Sequence, residues 1–503
     1  MIYYSRSISN NIEHESPILI EVGISEKGLP TFDIFGLVSK SIGESKKRIL
    51  SAFESSGINF PLKNINVNLS PAEIAKEGTH YDLAIAVAIL KYTNNIEILD
   101  TDLFLGELSL DGSLKRVNNI AFLCLKAKEM GFKRFFIPNE SKSELFFIDG
   151  VEFYVLNNLM DTLNIHKLTK FVSETDSLKP KFGEGNLKSI SLENNYSTKV
   201  MSYAVAGRHN IHLEGFPGVG KSHLAKSSLI LQPDLSYDEM YQVSKIFSYM
   251  GITRDRFSLY RPPFRAPHSS TSYSGVFGTY GDKIYPGEVA LANKGILFLD
   301  ELPEYNRLVL EGLRAPLEDK FVSISRAKSR FTLPCDFMMI STSNPCKCGY
   351  FNHPKLTCKC SPFEITKYRG RISGPILDRI DIFFKLNSSF FINKAEGSKV
   401  YSISDLKNLL ENISQVRDLI KNYKKGISDS NSNNISWNNF IIQNKVSNKL
   451  SNLINLAQEK YSISTRKIFK IINLSLTISF FKKLEMIDEE SFLEALSLAN
   501  FSE

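Results

Sequence analysis

The chain has 503 residues, 43% hydrophobic and 23% charged, which is ordinary for a water-facing globular protein and enough for about three domains. Lys and Arg number 61 against 54 Asp and Glu, and the net charge of +7 permits an anionic partner such as nucleic acid without requiring one. No apolar run reaches the roughly 18 residues of a membrane span and the N-terminus has no signal-peptide core, so the expected setting is cytoplasmic, with no membrane.

The first ~165 residues mix strands and helices. Ile18 to Ile24 and Ile65 to Leu69 read as strands, and Lys40 to Ser55 and Tyr81 to Leu90 as helices, the second well buried. An amphipathic stretch, Ile120 to Met130, precedes a strand at Phe135 to Pro138. Phe171 to Leu187 is rich in Ser, Lys, Glu and Gly and reads as an exposed linker, so residues 166–187 separate the first domain, 1–165, from the next.

Asn210 to Glu214 reads as a short buried strand. It runs into Gly215-Phe216-Pro217-Gly218-Val219-Gly220-Lys221-Ser222, a full G-x-x-x-x-G-K-[ST] phosphate loop, with a helix starting at His223. Glycines let successive N–H groups turn inward around a polyphosphate. Lys221 can reach the β- and γ-phosphates, the Ser222 hydroxyl can hold Mg²⁺, and the helix N-terminus adds partial positive charge. The expected ligand is ATP with Mg²⁺, held by residues Gly215 and Pro217 to His223.

Gly295 to Leu299 is an apolar strand that ends in Asp300 and Glu301. Asp300 can hold Mg²⁺ through water, and Glu301 can orient and deprotonate an attacking water. Phe321 to Phe331 alternates like a hairpin and carries Arg326, Lys328 and Arg330 at its turn, where basic groups can follow a phosphate backbone whatever its sequence. Met338 to Ser343 is a further buried strand, ending in Asn344, whose amide can both donate to and accept from the same water.

Six cysteines occur, and four cluster as Cys346-x-Cys348 and Cys358-x-Cys360 around a nine-residue loop. Four thiolates there can surround one tetrahedral Zn²⁺ and tie down a loop too polar to pack by itself; four reduced thiols or a redox pair are the alternatives. Cys124 and Cys335 sit in apolar settings and read as inert core residues. Beyond them, Arg371 and Arg379 flank a turn at Ser373 to Asp378, and Arg466 opens a helix. A guanidinium can neutralise charge on γ-phosphoryl oxygens, and it can equally serve a structural ion pair. Asn387 to Lys399 is a second polar joint. Residues 386–503 read as a helical domain with one polar loop, Ile427 to Ser436, and a buried helix over Ile468 to Phe481.

Taken together, the phosphate loop, Gly295 to Glu301, Ser343 to Cys346 and Ser373 to Asp381 resemble the magnesium-chelatase-like AAA+ ATPases, with the YifB/ComM group nearest. The N-terminal Val67 to Ala72, Lys76 to Gly78 and Gly106 to Gly112 fit as well, so the resemblance runs nearly end to end. It implies an α/β architecture in three parts: a Lon-protease-like α+β domain, an AAA+ core over 188–385 with a parallel sheet, and a C-terminal helical lid. No Ser–Lys dyad can be placed in the first part, so proteolysis is not implied. The resemblance makes Asn344 the sensor-1 residue, Arg379 a finger acting on a neighbouring subunit's nucleotide, and Arg466 the sensor-2 arginine. It makes the Phe321–Phe331 hairpin a pore element. It also identifies Pro262 to Gly287 as an insertion where Arg265, His268, Tyr273 and Tyr280 can meet DNA.

The family's activity implies an ATP-dependent homo-hexamer moving single-stranded or branched DNA. A metal-insertion chaperone, or a DNA-binding scaffold whose ATP site controls assembly only, is the alternative. The chain departs from the family pattern at Pro267-His268-Ser269, Gly278 to Asp282, Cys346-Lys347-Cys348 and Ile471 to Ser475.

Overall fold

The structure is a computed structural model. It describes residues 2–10, 16–171 apart from 28, 74 and 146–147, and 192–386 apart from 194, 251, 253–255, 281–283 and 327–328. It also describes 401–428 and 448–499 apart from 462. The chain forms two compact units. One comprises Met1–Lys181 with Ser236–Tyr260, the other Phe182–Leu235 with Arg261–Glu503.

The first unit opens with a four-stranded sheet of β1 (Ile2–Ile8), β2 (Pro17–Ser25), β3 (Thr31–Phe35) and β4 (Asn64–Ser70), in the order β1-β2-β4-β3. Strict alternation decides its inner face: Ile65, Val67 and Leu69 of β4 are buried, and Val22 sits opposite Val67. Two helices cover this sheet, one between β3 and β4 and one after β4. The first, α1 (Ser45–Ser55), is preceded by a separate turn at Lys40–Gly43, so the single helix expected over Lys40 to Ser55 is interrupted at Glu44. The second, α2 (Asp82–Thr93), is apolar all round and buried from Leu83 to Leu90, as a helix inside a core must be.

A second sheet holds β5 (Asp102–Phe104), β6 (Arg134–Pro138), β7 (Glu152–Leu156) and β8 (Lys170–Phe171), with α3 (Ile120–Glu129) leading into β6. Phe104 stacks on Phe136 at 4.6 Å and Phe136 on Tyr154 at 5.1 Å, across three parallel strands. Of the expected linker, residues 172–187 lie outside the described residues.

The second unit begins at α4 (Tyr196–Gly207), β9 (Ile211–Gly215) and α5 (Lys221–Leu231). The chain then returns to the first unit for α6 (Tyr237–Ser248), where Tyr241 Oη donates to Glu129 of α3 at 2.8 Å. Back in the second unit, β10 (Phe264–Arg265), β11 (Ile296–Leu299), β14 (Met338–Ser343) and β15 (Ile382–Leu386) join β9 in a five-stranded parallel sheet. Its order is β10-β11-β14-β9-β15, and the hairpin β12 (Phe321–Arg326) and β13 (Ser329–Pro334) stands apart from it. Every residue of β11 and β14 is buried, the mark of strands covered on both faces.

Beyond the sheet come α7 (Pro362–Arg369), α8 (Ile403–Ser428), α9 (Asn448–Tyr461), α10 (Thr465–Phe481) and α11 (Glu489–Ala499), among other short elements. Ile413, Ile454, Ile468 and Phe492 of the last four helices share one apolar cluster with Ile211, Leu213 and Ile340 of the sheet. Arg417 of α8 donates to Val205 O at 2.6 Å, and His209 meets Thr477 of α10 at 2.8 Å. The joint expected at Asn387 to Lys399 lies outside the described residues, as does the polar loop beyond Ser428. Among the described residues, no helix is long and apolar enough to cross a membrane.

Candidate nucleotide site

Register sets the site. Leu299 pairs with Ser341 and Ser343 with Glu214, so β11, β14 and β9 end nearly level. The residues that follow them, Asp300, Asn344 and the phosphate loop, therefore meet at one edge of the sheet, outside the carboxyl ends of its strands. The strand order matters here, because β14 lies between β9 and β11 and brings Asn344 beside both.

Gly218 and Gly220 take φ +81°, a backbone region that side chains disfavour, and Gly220 caps the N-terminus of α5. A Cβ on Gly218 would meet nothing within 4 Å, so the loop's outer surface is open for a phosphate chain. His223 is exposed on the first turn of α5 and Val219 is buried beneath the loop. Lys221 Nζ donates to Gly215 O at 2.6 Å, Phe216 O at 3.0 Å and Asn344 Oδ1 at 2.9 Å. Burial lowers its pKa, and the carboxylates of Asp300, Glu301 and Glu214 oppose that shift.

Ser222 Oγ donates to Asp300 Oδ2 at 3.1 Å. Two oxygens bound to one octahedral Mg²⁺ at ~2.1 Å stand about 3 Å apart, so this pair suits a hydrated Mg²⁺. Thr342 joins the two acids. Its Oγ1 donates to Asp300 Oδ1 at 2.5 Å and accepts the Glu301 N–H at 2.9 Å. Glu301 itself takes φ +52° and is exposed, its carboxylate directed by a left-handed turn directly after β11. Below, the buried His212 bridges Ser341 Oγ at 2.9 Å and Ser343 Oγ at 2.8 Å. Burial, and secondarily the Lys221 charge, lower its pKa to about 4, so it is neutral at pH 7.

The expected arginines lie elsewhere. Arg379 and Arg466 both donate to Glu318, the second at 2.6 Å, and Arg379 also donates to Pro375 O at 2.7 Å and Arg314 O at 3.2 Å. Arg371 pairs with Glu304 at 3.2 Å. Arg265 is gripped in a bidentate pair by Glu288 at 2.6 and 2.7 Å. In the hairpin, Arg326 is paired with Ser329 and Ser325 with Arg330. Lys328 and the side chains of Arg326 and Arg330 lie outside the described residues.

The four sulfurs of Cys346, Cys348, Cys358 and Cys360 lie within 4.8 Å of one another. Cys346 stands 3.4 Å from Cys348 and 3.7 Å from Cys358, and Cys348 stands 3.5 Å from Cys358. A tetrahedral Zn²⁺ with Zn–S near 2.3 Å has S···S edges of about 3.8 Å, so the sulfurs are already spaced for a metal. Backbone N–H groups of Tyr350 and Lys359 lower the Cys348 pKa to about 6, which favours a thiolate ligand. Cys124 and Cys335 are buried with raised pKa values, desolvation being the main cause, and are chemically quiet.

Three residues of this region were not singled out in the sequence. Thr342 is hidden within a buried strand pattern, Glu318 within a short helix, and His353 within a polar loop. Only the contacts that tertiary packing creates distinguish them.

Known proteins match this chain across most of its length. Residues 187–392 match the family described as magnesium chelatase, subunit ChlI, and residues 20–141 match the family described as subunit ChlI of Mg-chelatase. The uncharacterized protein YifB of Escherichia coli strain K12 is 33% identical over 378 residues, 74% of this chain and 73% of that protein. The competence protein ComM of Haemophilus influenzae is 29% identical over 507 residues, 98% of this chain and 96% of that protein. The DNA repair protein RadA of Listeria monocytogenes is 29% identical over 136 residues, 26% of this chain and 29% of that protein.

Proposed function

The chain belongs to the magnesium-chelatase-like AAA+ ATPases of the YifB/ComM family, and from that membership we propose that it is an ATP-driven hexameric motor acting on DNA during uptake or recombination. The ATPase reading rests on one observation above all. Lys221, Asp300 and Asn344, which follow three different strands of one sheet, meet at its edge: Lys221 donates to Asn344, and Asp300 accepts from Ser222 and Thr342.

In this reading the phosphate loop wraps the triphosphate, and Lys221 leaves Asn344 to hold the β- and γ-phosphates. Ser222 and Asp300 hold Mg²⁺, which when bound offsets charge on the phosphate oxygens. Glu301 orients the attacking water and takes its proton, and Asn344 steadies that water. Arg379 of a neighbouring copy completes the site across a head-to-tail interface, the kind that closes into rings, and Arg466 relays hydrolysis to the helical segment. Arg326, Lys328 and Arg330 follow the DNA backbone. Arg265 joins them only by leaving Glu288. The four cysteines hold one Zn²⁺. The N-terminal unit takes a Lon-protease-like fold. The relatives named for competence and DNA repair support DNA as the partner.

The test is ATP turnover by the parent and by Glu301→Gln, with and without single-stranded or branched DNA. The motor reading expects DNA-stimulated turnover, lowered by a factor of ~10²–10⁴ in the variant. Turnover indifferent to DNA favours a chaperone for metal insertion. Nucleotide-dependent rings with negligible turnover favour a scaffold.

A further inference from the structure

The loop from Cys346 to Cys360 leans on the phosphate loop. The ring of His353 meets that of Phe216 edge-on at 4.5 Å and 67°. Gly349, buried and with φ +87°, packs so closely under Pro217 that a Cβ there would lie 2.5 Å from Pro217 Cγ. Asn344 directly follows the strand leading into the loop, two residues before Cys346, and accepts from Lys221. Phe216 and Pro217 thus rest on the loop at two points, and Lys221 is tied to its stem.

The loop has little of its own to hold this shape. Lys347, Asn352, Pro354, Lys355, Leu356, Thr357 and Lys359 are exposed, and no helix or strand lies between Ser343 and Pro362. Its ends are fastened: Arg369 donates to Pro345 O at 3.2 Å and lies over the Phe351 ring at 5.2 Å, and a Ser361–Glu364 capping box starts α7 directly after Cys360. Between those ends the loop's other bonds are local, with His353 Nδ1 accepting the N–H groups of Lys355 and Leu356 at 3.0 and 2.9 Å. The four-sulfur cluster is what joins its two halves, Cys346 and Cys348 to Cys358 and Cys360, and a polar loop without a core gains order from such a cross-link.

We propose that the cysteine cluster is a metal-dependent brace of the nucleotide site: metal held by the four sulfurs sets nucleotide affinity through Gly349 and His353, with no cysteine touching the nucleotide. The proposal rests on the reading that the phosphate loop binds ATP and that the sulfurs bind Zn²⁺. It adds that the two sites are coupled. By linkage the coupling is reciprocal, so nucleotide slows loss of the metal.

The test uses the full chain. Zinc is counted by elemental analysis, and the affinity for a fluorescent ATP analogue is measured before chelation, after it, and after Zn²⁺ is restored. The brace expects affinity to fall about three- to tenfold on chelation and to return with Zn²⁺. Cys358→Ser should lose both the zinc and the same affinity. His353→Ala should keep its zinc, bind the analogue more weakly, and respond less to chelation, which separates the contact from any loss of fold. Unchanged affinity on chelation overturns the brace while leaving both parent readings in place. A parent without zinc overturns the zinc reading and the brace with it. A parent that holds zinc but no nucleotide overturns the ATP reading and so the brace.

Discussion

Arg379 and Arg466, 87 positions apart in sequence, donate to the two oxygens of one carboxylate, that of Glu318. Arg379, only 14% exposed, is further held by the carbonyls of Pro375 and Arg314. Desolvation is the largest single influence and raises the Glu318 pKa, but the two guanidiniums together outweigh it and leave the carboxyl below its ordinary value. Both arginines proposed to serve a nucleotide are therefore occupied within the single chain, and under that proposal Glu318 is the group a phosphate has to displace.

Neutralising Glu318 should favour that other use. Glu318 is 43% exposed, so solvent screening discounts each bond toward the range of a surface pair. Glu318→Gln is expected to lower the ATP concentration needed for assembly about two- to fivefold, measured by light scattering across an ATP titration. No shift, or a shift the other way, would remove Glu318 as a competitor.

Thr342 ties the acids together, and its hydroxyl bond to Asp300 involves a charged partner of the kind worth ~1.5–3 kcal/mol. Thr342→Val is expected to cut ATP turnover ~10–100-fold while nucleotide affinity stays within about threefold. Equal losses in both would point to a damaged fold rather than to misplaced carboxylates.

His212 gives the fold a pH dependence. Its pKa is depressed to about 4 when folded, against about 6.5 in an unfolded chain, so the unfolded state binds the proton more readily between those values. The stability from keeping it neutral is present above pH 6.5 and lost as pH falls toward 4, on the order of 3 kcal/mol in all. His212→Gln cannot charge, so its melting temperature should fall less than the parent's between pH 7 and pH 5. Parallel curves would mean that His212 does not titrate differently on folding.

The proposed hairpin contacts are electrostatic, and salt reads them directly. Arg326→Gln with Arg330→Gln should flatten the plot of log affinity for single-stranded DNA against log salt by about 0.7 per lost phosphate contact. An unchanged slope would place the DNA elsewhere on the chain.

The chemistry of the nucleotide edge was legible before any fold was known. Lys221, Ser222, Asp300 and Asn344 each sit at a strand end or helix start, and short apolar runs with a polar terminus reveal such places. Alternation likewise marked the inner face of β4, and uniform apolarity marked α2. Missing from that reading was the return of Ser236–Tyr260 to the first unit, because each local pattern there fits either neighbour. The break at Glu44 was missed for a similar reason, since a helical turn and a helix share one periodicity.

The sequence by itself determined the phosphate loop, the acid pair, the cysteine quartet and the family, because each depends on residue types at short, fixed spacing. Tertiary structure alone decided which of these groups touch. Placing β14 between β9 and β11 set Thr342 against both acids, folding brought Arg379 and Arg466 to Glu318, and the cysteine loop came to rest on Phe216 and Pro217. Strand order and side-chain packing are long-range choices made by burying a shared core, and no local pattern encodes them.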